Sequence, residues 1–76
     1  MREEYIRALL ELTSTQSGPT VEAAIDHLVG GLSQREAAAM YGVTPPAVSR
    51  MVRRIKEVEE KVKAATAAEA AADKLP

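Results

Sequence analysis

SQREAAAMYGVTPPAVSRMVRRI, residues Ser33–Ile55, is the stretch that decides the fold. Ser33 is followed three residues later by Glu36, the spacing of a capping box. There the Ser hydroxyl accepts from the Glu36 amide and the Glu36 carboxylate accepts from the Ser33 amide. A helix is predicted from Gln34 to Tyr41. Gly42 ends it, because a left-handed residue at a helix terminus costs glycine little and other residues more. Thr44 is placed to cap the next helix, and Pro45 and Pro46 fill its first turn, where a missing amide is tolerated. Since Pro46 has no amide, the Thr44 hydroxyl is directed to that of Ala47. Ala37 and Ala38 are short enough for a second helix to cross closely, and Val43 and Val48 are placed to plug the corner. Two helices joined steeply by a short turn read as a helix-turn-helix, whose second helix is suited to the DNA major groove. The alternative is a generic helical hairpin with the same caps.

Working outward, charge separates these possibilities. The whole chain has 76 residues and a formal net charge of −1, so it is not a basic protein overall. From Thr44 to Lys56, however, Arg50, Arg53, Arg54 and Lys56 stand without one acid. A locally basic helix on a near-neutral domain is enough to contact phosphates; the bland reading is a solvated helix face. The two aromatic residues, both Tyr, argue against recognition of single strands by base stacking.

Upstream, residues 2–13 form an amphipathic pattern carried by Ile6, Leu9 and Leu10 with Tyr5 or Leu12. Ser14–Thr20 is a loop punctuated by Gly18-Pro19. A second helix is expected over residues 19–29, with Val21, Ala24, Ile25, Leu28 and Val29 inward, ended by Gly30-Gly31. Leu32 then stands in the position of a hydrophobic staple with Ala37. His27 is expected to be exposed or to cap the end of that helix.

Downstream, no breaker occurs until Pro76, and Ala, Glu and Lys dominate. The helix that starts at Pro45 is therefore expected to run to about Ala72. Val48, Met51, Ile55, Val58, Val62 and Ala65 recur at steps of three and four, a short heptad-like seam. Its first half is expected to pack on its own domain. Its second half, Val58 and Val62, together with Ile6, Leu9 and Leu10, is expected to contact another protomer. The fold class is thus all-α, with a helix-turn-helix domain over residues 1–65 and an Ala-rich extension or tail over 66–76.

Several function classes are disfavoured. There is no cysteine and only one histidine, hence no metal-ligand spacing, and no glycine-rich phosphate loop or nucleophile–base pair. No catalytic residue, cofactor, metal or small-molecule ligand is expected. Glu57, Glu59 and Glu60 read as surface carboxylates that are solvated or paired with Lys61 and Lys63. No run approaches the ~18 apolar residues of a membrane span, and the charged first segment is unlike a signal peptide. A cytosolic, nucleoid-associated protein is expected.

From Leu9 to about Ile55 the chain resembles the PapB-type regulators of fimbrial adhesin operons and the related KorA/TrfB-type plasmid repressors. The resemblance rests on HLVGGLSQREAAAMYGV, especially Leu28–Gly31, Ser33, Glu36 and Tyr41, and on the later Ser49 and Arg54. It implies a bacterial transcription regulator that acts as a dimer or higher oligomer on operator DNA, with Ser49, Arg50 and Arg53 on the groove-facing side. The chain departs from these families in starting the second helix with two prolines and in its Ala-rich C-terminal helix.

The expectation is therefore a sequence-specific double-stranded-DNA-binding regulator, a repressor or operon autoregulator. Ser49, Arg50 and Arg53 would face bases. Arg54, Lys56, Ser33, Gln34 and Arg35 would contact phosphates. Thr44, Pro45 and Pro46 would form the inserted tip. The alternatives are a helical adaptor that binds protein but not DNA, and a plasmid-segregation DNA-binding protein.

Overall fold

Ile6, Val48 and Ile55 are the largest fully buried side chains, and they bring together the start of the chain and its last helix. The computed structural model describes residues 2–73. In chain order its helices are α1 (Glu3–Leu12), α2 (Pro19–Leu28), α3 (Gln34–Tyr41) and α4 (Pro45–Asp73), with no strand among the described residues. The fold is all-α, as the sequence implies. α4 is the spine: α1, α2 and α3 all pack on it, and α2 also packs on α3. Residues 74–76 of the anticipated tail lie outside the described residues.

The core is aliphatic. Ile6, Leu9 and Leu10 of α1 meet Val21, Ala23, Ala24 and Ile25 of α2, Ala37 and Ala38 of α3, and Val48, Val52 and Ile55 of α4. The two alanines of α3 are almost fully buried, which lets neighbouring helices approach without a side chain between them. Val52 is a core residue outside the expected seam, while Met51 is only half-buried. A seam suits one partner helix, but three helices surround this part of α4, so the buried stripe is wider. In α2 the expected inward Val29 is 44 % exposed, and Ala23 is buried instead. Val29 already lies beyond the last full turn, where the chain bends away.

Polar straps hold the helices in place. Arg7 of α1 donates to both carboxylate oxygens of Glu22 on α2 (2.9 and 3.2 Å) and to Glu3 (3.0 Å). Tyr41 of α3 donates to Asp26 of α2 (2.6 Å). His27 is half-buried, and its Nδ1 lies 2.7 Å from the Leu32 carbonyl, so it ties α2 to the segment leading into α3. In that segment a Cβ on Gly30 would stand 2.8 Å from the Asp26 carbonyl oxygen, a contact only glycine avoids. Ser14, just after α1, sits in the left-handed region (φ 55°) that non-glycine residues rarely occupy.

Candidate nucleic-acid interface

The corner between α3 and α4 is built by local hydrogen bonds. Both halves of the capping box form: Ser33 Oγ accepts from the Glu36 amide (3.0 Å) and Glu36 accepts from the Ser33 amide (3.3 Å). Gly42 adopts the left-handed conformation (φ 67°, ψ 30°). The amides of Val43 and Gly42 turn back to the carbonyls of Ala38 and Ala39, which closes the end of α3. The Thr44 carbonyl accepts from Ala47 and Val48, and its hydroxyl also accepts from Ala47 (3.3 Å). Only three residues, Gly42–Thr44, separate the helices, so the start of α4 is held rigidly on α3.

Burial of Val48, Val52 and Ile55 fixes the rotation of α4 about its axis. The opposite face is then forced outward with Pro46, Arg50, Arg53 and Arg54, and Pro45 and Lys56 are exposed on its flank. Ser49 is half-buried at one edge. None of the four cations lies within ion-pair distance of a carboxylate among the described residues.

Two shallow crevices flank this face. One runs towards the start of α3 and brings Gln34 together with Ser49, Arg53 and Lys56. The other brings Arg50, Arg53 and Arg54 together with Thr13 at the end of α1. A third hollow places Thr20, at the start of α2, beside Arg50 and Arg54. Thr13 and Thr20 lie far from the α3–α4 corner in sequence, and only the packing of three helices brings them to its edge. No periodicity in the sequence signals that.

The two helix starts beside α4 differ. At α3, Ser33 and Glu36 already satisfy each other, and the Glu36 carboxylate occupies the electropositive end where a phosphate would sit. Arg35 is exposed there but lines none of the three crevices. At α2 the cap is Gly18, with no side-chain hydrogen bond.

The apolar residues assigned to pairing are placed differently from one another. Ile6, Leu9 and Leu10 are 0, 2 and 5 % exposed within their own chain. Val58 and Val62 are half-buried against the same core. The structure thus gives all five a partner inside one chain, because α1 folds back along α4. What α1 leaves exposed is Tyr5 and, more fully, Leu12.

Among the described residues no group of three acidic, histidine or cysteine side chains is placed to hold a metal ion. No described helix is long and apolar enough to cross a membrane.

Searches of curated proteins and of solved structures returned no match. The family of adhesin biosynthesis transcription regulatory proteins does match, and it is a family of regulators rather than of enzymes. Its match spans residues 1–68, from before α1 to well beyond the packed part of α4, and the chain belongs to this PapB family of transcription regulatory proteins.

Proposed function

We propose that this transcription regulator acts by binding double-stranded DNA sequence-specifically, with α4 as the helix that enters the major groove. The observation that carries this reading is the arrangement of the first three turns of α4. Val48, Val52 and Ile55 anchor one face in the core, while Arg50 and Arg53 stand on the opposite, exposed face, with Ser49 at its edge. An α-helix is about as wide as the major groove, and Arg engages guanine through two hydrogen bonds there. Ser49, Arg50 and Arg53 read bases in this scheme. Arg54, Lys56, Gln34 and Arg35 contact phosphates, with Ser33 contributing the hydroxyl proton its cap leaves free. Thr44, Pro45 and Pro46 form the tip that fixes how deeply the helix inserts.

The protein acts as a homodimer in this reading, presenting two α4 helices about one DNA turn (~34 Å) apart to a pseudo-palindromic operator. Pairing through Ile6, Leu9 and Leu10 with Val58 and Val62 amounts to an exchange of α1 between protomers, since each chain closes that seam on itself. The strained Ser14 lies in the connection that such an exchange would straighten. Repression of its own operon from the cytoplasm is the regulatory role that fits.

The test is selection of bound duplexes from a random pool at near-physiological salt, read by sequencing. Enrichment of a site with two related halves is expected. Enrichment of a single half would remove the preformed pair. No enrichment by folded protein would remove DNA binding and leave a regulator that acts through protein contacts.

A further inference from the structure

The run of cations that no acid interrupts ends at Lys56, and carboxylates follow at once at Glu57, Glu59 and Glu60. These three are not equivalent. Glu59 lies on the inner flank, with its side chain only 17 % exposed, and meets Lys63 at 3.8 Å. Glu57 lies on the outer crest. Of the residues that line the two crevices flanking the basic face, only Arg53 and Glu57 line both. They are four apart, so they follow each other along the same ridge of the helix. They carry opposite charges, yet among the described residues they form no ion pair with each other or with any other side chain. Both heads are therefore available to a ligand that faces the crest.

Resting on the DNA-binding reading above, we propose that Glu57 is a specificity-determining residue. It accepts a hydrogen bond from a cytosine amino group at a base pair next to the one read by Arg53. The argument is one of charge and shape. A helix lying in the major groove places its crest against base edges and its flanks against phosphates. A carboxylate on the crest has no favourable partner on the phosphate backbone. In the groove its matching partner is an amino donor, which cytosine presents through N4. Where that donor is absent, the carboxylate is desolvated beside phosphates without compensation. Glu57 thus rewards one base and penalises DNA in general, whereas Arg53 favours guanine and DNA in general. The penalty also explains the basic run's abrupt end: past Glu57, α4 must leave the groove.

The test runs the duplex selection with the full chain in four forms: wild type, Glu57→Gln, Glu57→Asp and Glu69→Gln. Glu69 is exposed on the distal part of α4, so Glu69→Gln makes the same change in net charge away from the crest. For wild type a cytosine preference is expected in one column beside a guanine column. Glu57→Gln is expected to lose that cytosine, with adenine rising because an amide pairs with adenine, and all other columns unchanged. It is also expected to bind scrambled duplex roughly tenfold more tightly, the scale of one base contact. Glu57→Asp keeps the charge but shortens the reach. It is expected to lose the cytosine without gaining affinity for scrambled DNA. Identical columns for wild type and Glu57→Gln would overturn the proposal, as would a gain on scrambled DNA equal to that of Glu69→Gln. A wild-type protein that selects no site would remove the DNA-binding reading itself, and this inference with it.

Discussion

The two halves of α4 share one unbroken backbone and are held by different causes. From Pro45 to Val62 the helix buries Val48, Val52 and Ile55 and rests Met51, Val58 and Val62 on the same core. From Lys63 to Ala72 every side chain is exposed. The first half is helical because packing selects it, despite four β-branched valines and an isoleucine that lower intrinsic propensity. The second is helical because Ala and Glu favour it and because it extends a helix already nucleated. What can be substituted, and what is then felt elsewhere, differs accordingly. The basic face belongs to the packed half, so its arginines stand on the part of the helix that cannot rotate.

The largest test of this contrast is Ile55→Ala. A fully buried isoleucine joining α1 to α4 is removed, and stability is expected to fall by about 2–5 kcal/mol, read by urea or thermal unfolding. A loss under 1 kcal/mol would mean that the packed half is not fixed by its core. Next is Arg50→Ala against Lys63→Ala. If the functional face is confined to the packed half, Arg50→Ala costs roughly 1–3 kcal/mol of binding to the selected operator and relaxes one position. Lys63→Ala leaves that affinity nearly unchanged. Equal weakening by Arg50→Ala on every DNA sequence would make Arg50 a phosphate contact instead.

A smaller effect is expected from Ala68→Gly in the exposed half. Helical content should drop and the arm should fray, at a local cost of about 1 kcal/mol, while the unfolding midpoint of the domain holds. A clear shift of that midpoint, dependent on protein concentration, would show that the arm is packed against a second copy. The smallest effect concerns the strap that keeps α1 on the domain. The Arg7 guanidinium, through its hydrogen bonds, holds the Glu22 carboxyl below the usual glutamate range. The folded chain therefore binds that proton more weakly than the unfolded one. Stability from this pair is full above the ordinary carboxyl pKa and is lost as pH falls through the depressed one. Glu22→Gln is expected to lower the melting temperature slightly at neutral pH and to converge with wild type in acid, so that the acid limb of melting temperature against pH is flatter.

Much of this architecture is legible in the amino-acid sequence. Ser33 with Glu36, Gly42, and Thr44 aimed at Ala47 are local devices, complete within four residues, and each forms as its spacing implies. The helix spans were equally readable, because breakers and caps mark their ends. Relations between elements were not. Val52 was hidden because a seam pattern assumes one neighbour, and α4 has three. The ties of Arg7 to Glu22, of Tyr41 to Asp26 and of His27 to Leu32 join residues five to fifteen positions apart by directions that no period encodes. On the candidate interface, the basic run could be read directly. The edges supplied by Thr13 and Thr20, and the crest position of Glu57, needed the packed helices. The fate of α1 was the least legible: an apolar stripe is the same string whether it closes on its own chain or on another.

The continuity of α4 makes it a torsion bar. A helix turns by 3.6 residues per revolution, so its two ends are locked in angular register. Nothing between Pro45 and Asp73 relaxes that register. Anything gripping the far end therefore also sets the azimuth of the arginines at the near end, over a rod of roughly 43 Å at 1.5 Å per residue. A single residue inserted among Lys63–Ala72 would swing that grip about a quarter-turn, whereas seven would nearly restore it. If length variants of this segment arise, those that function should differ by whole turns, and the segment's history should be written in phase rather than in composition.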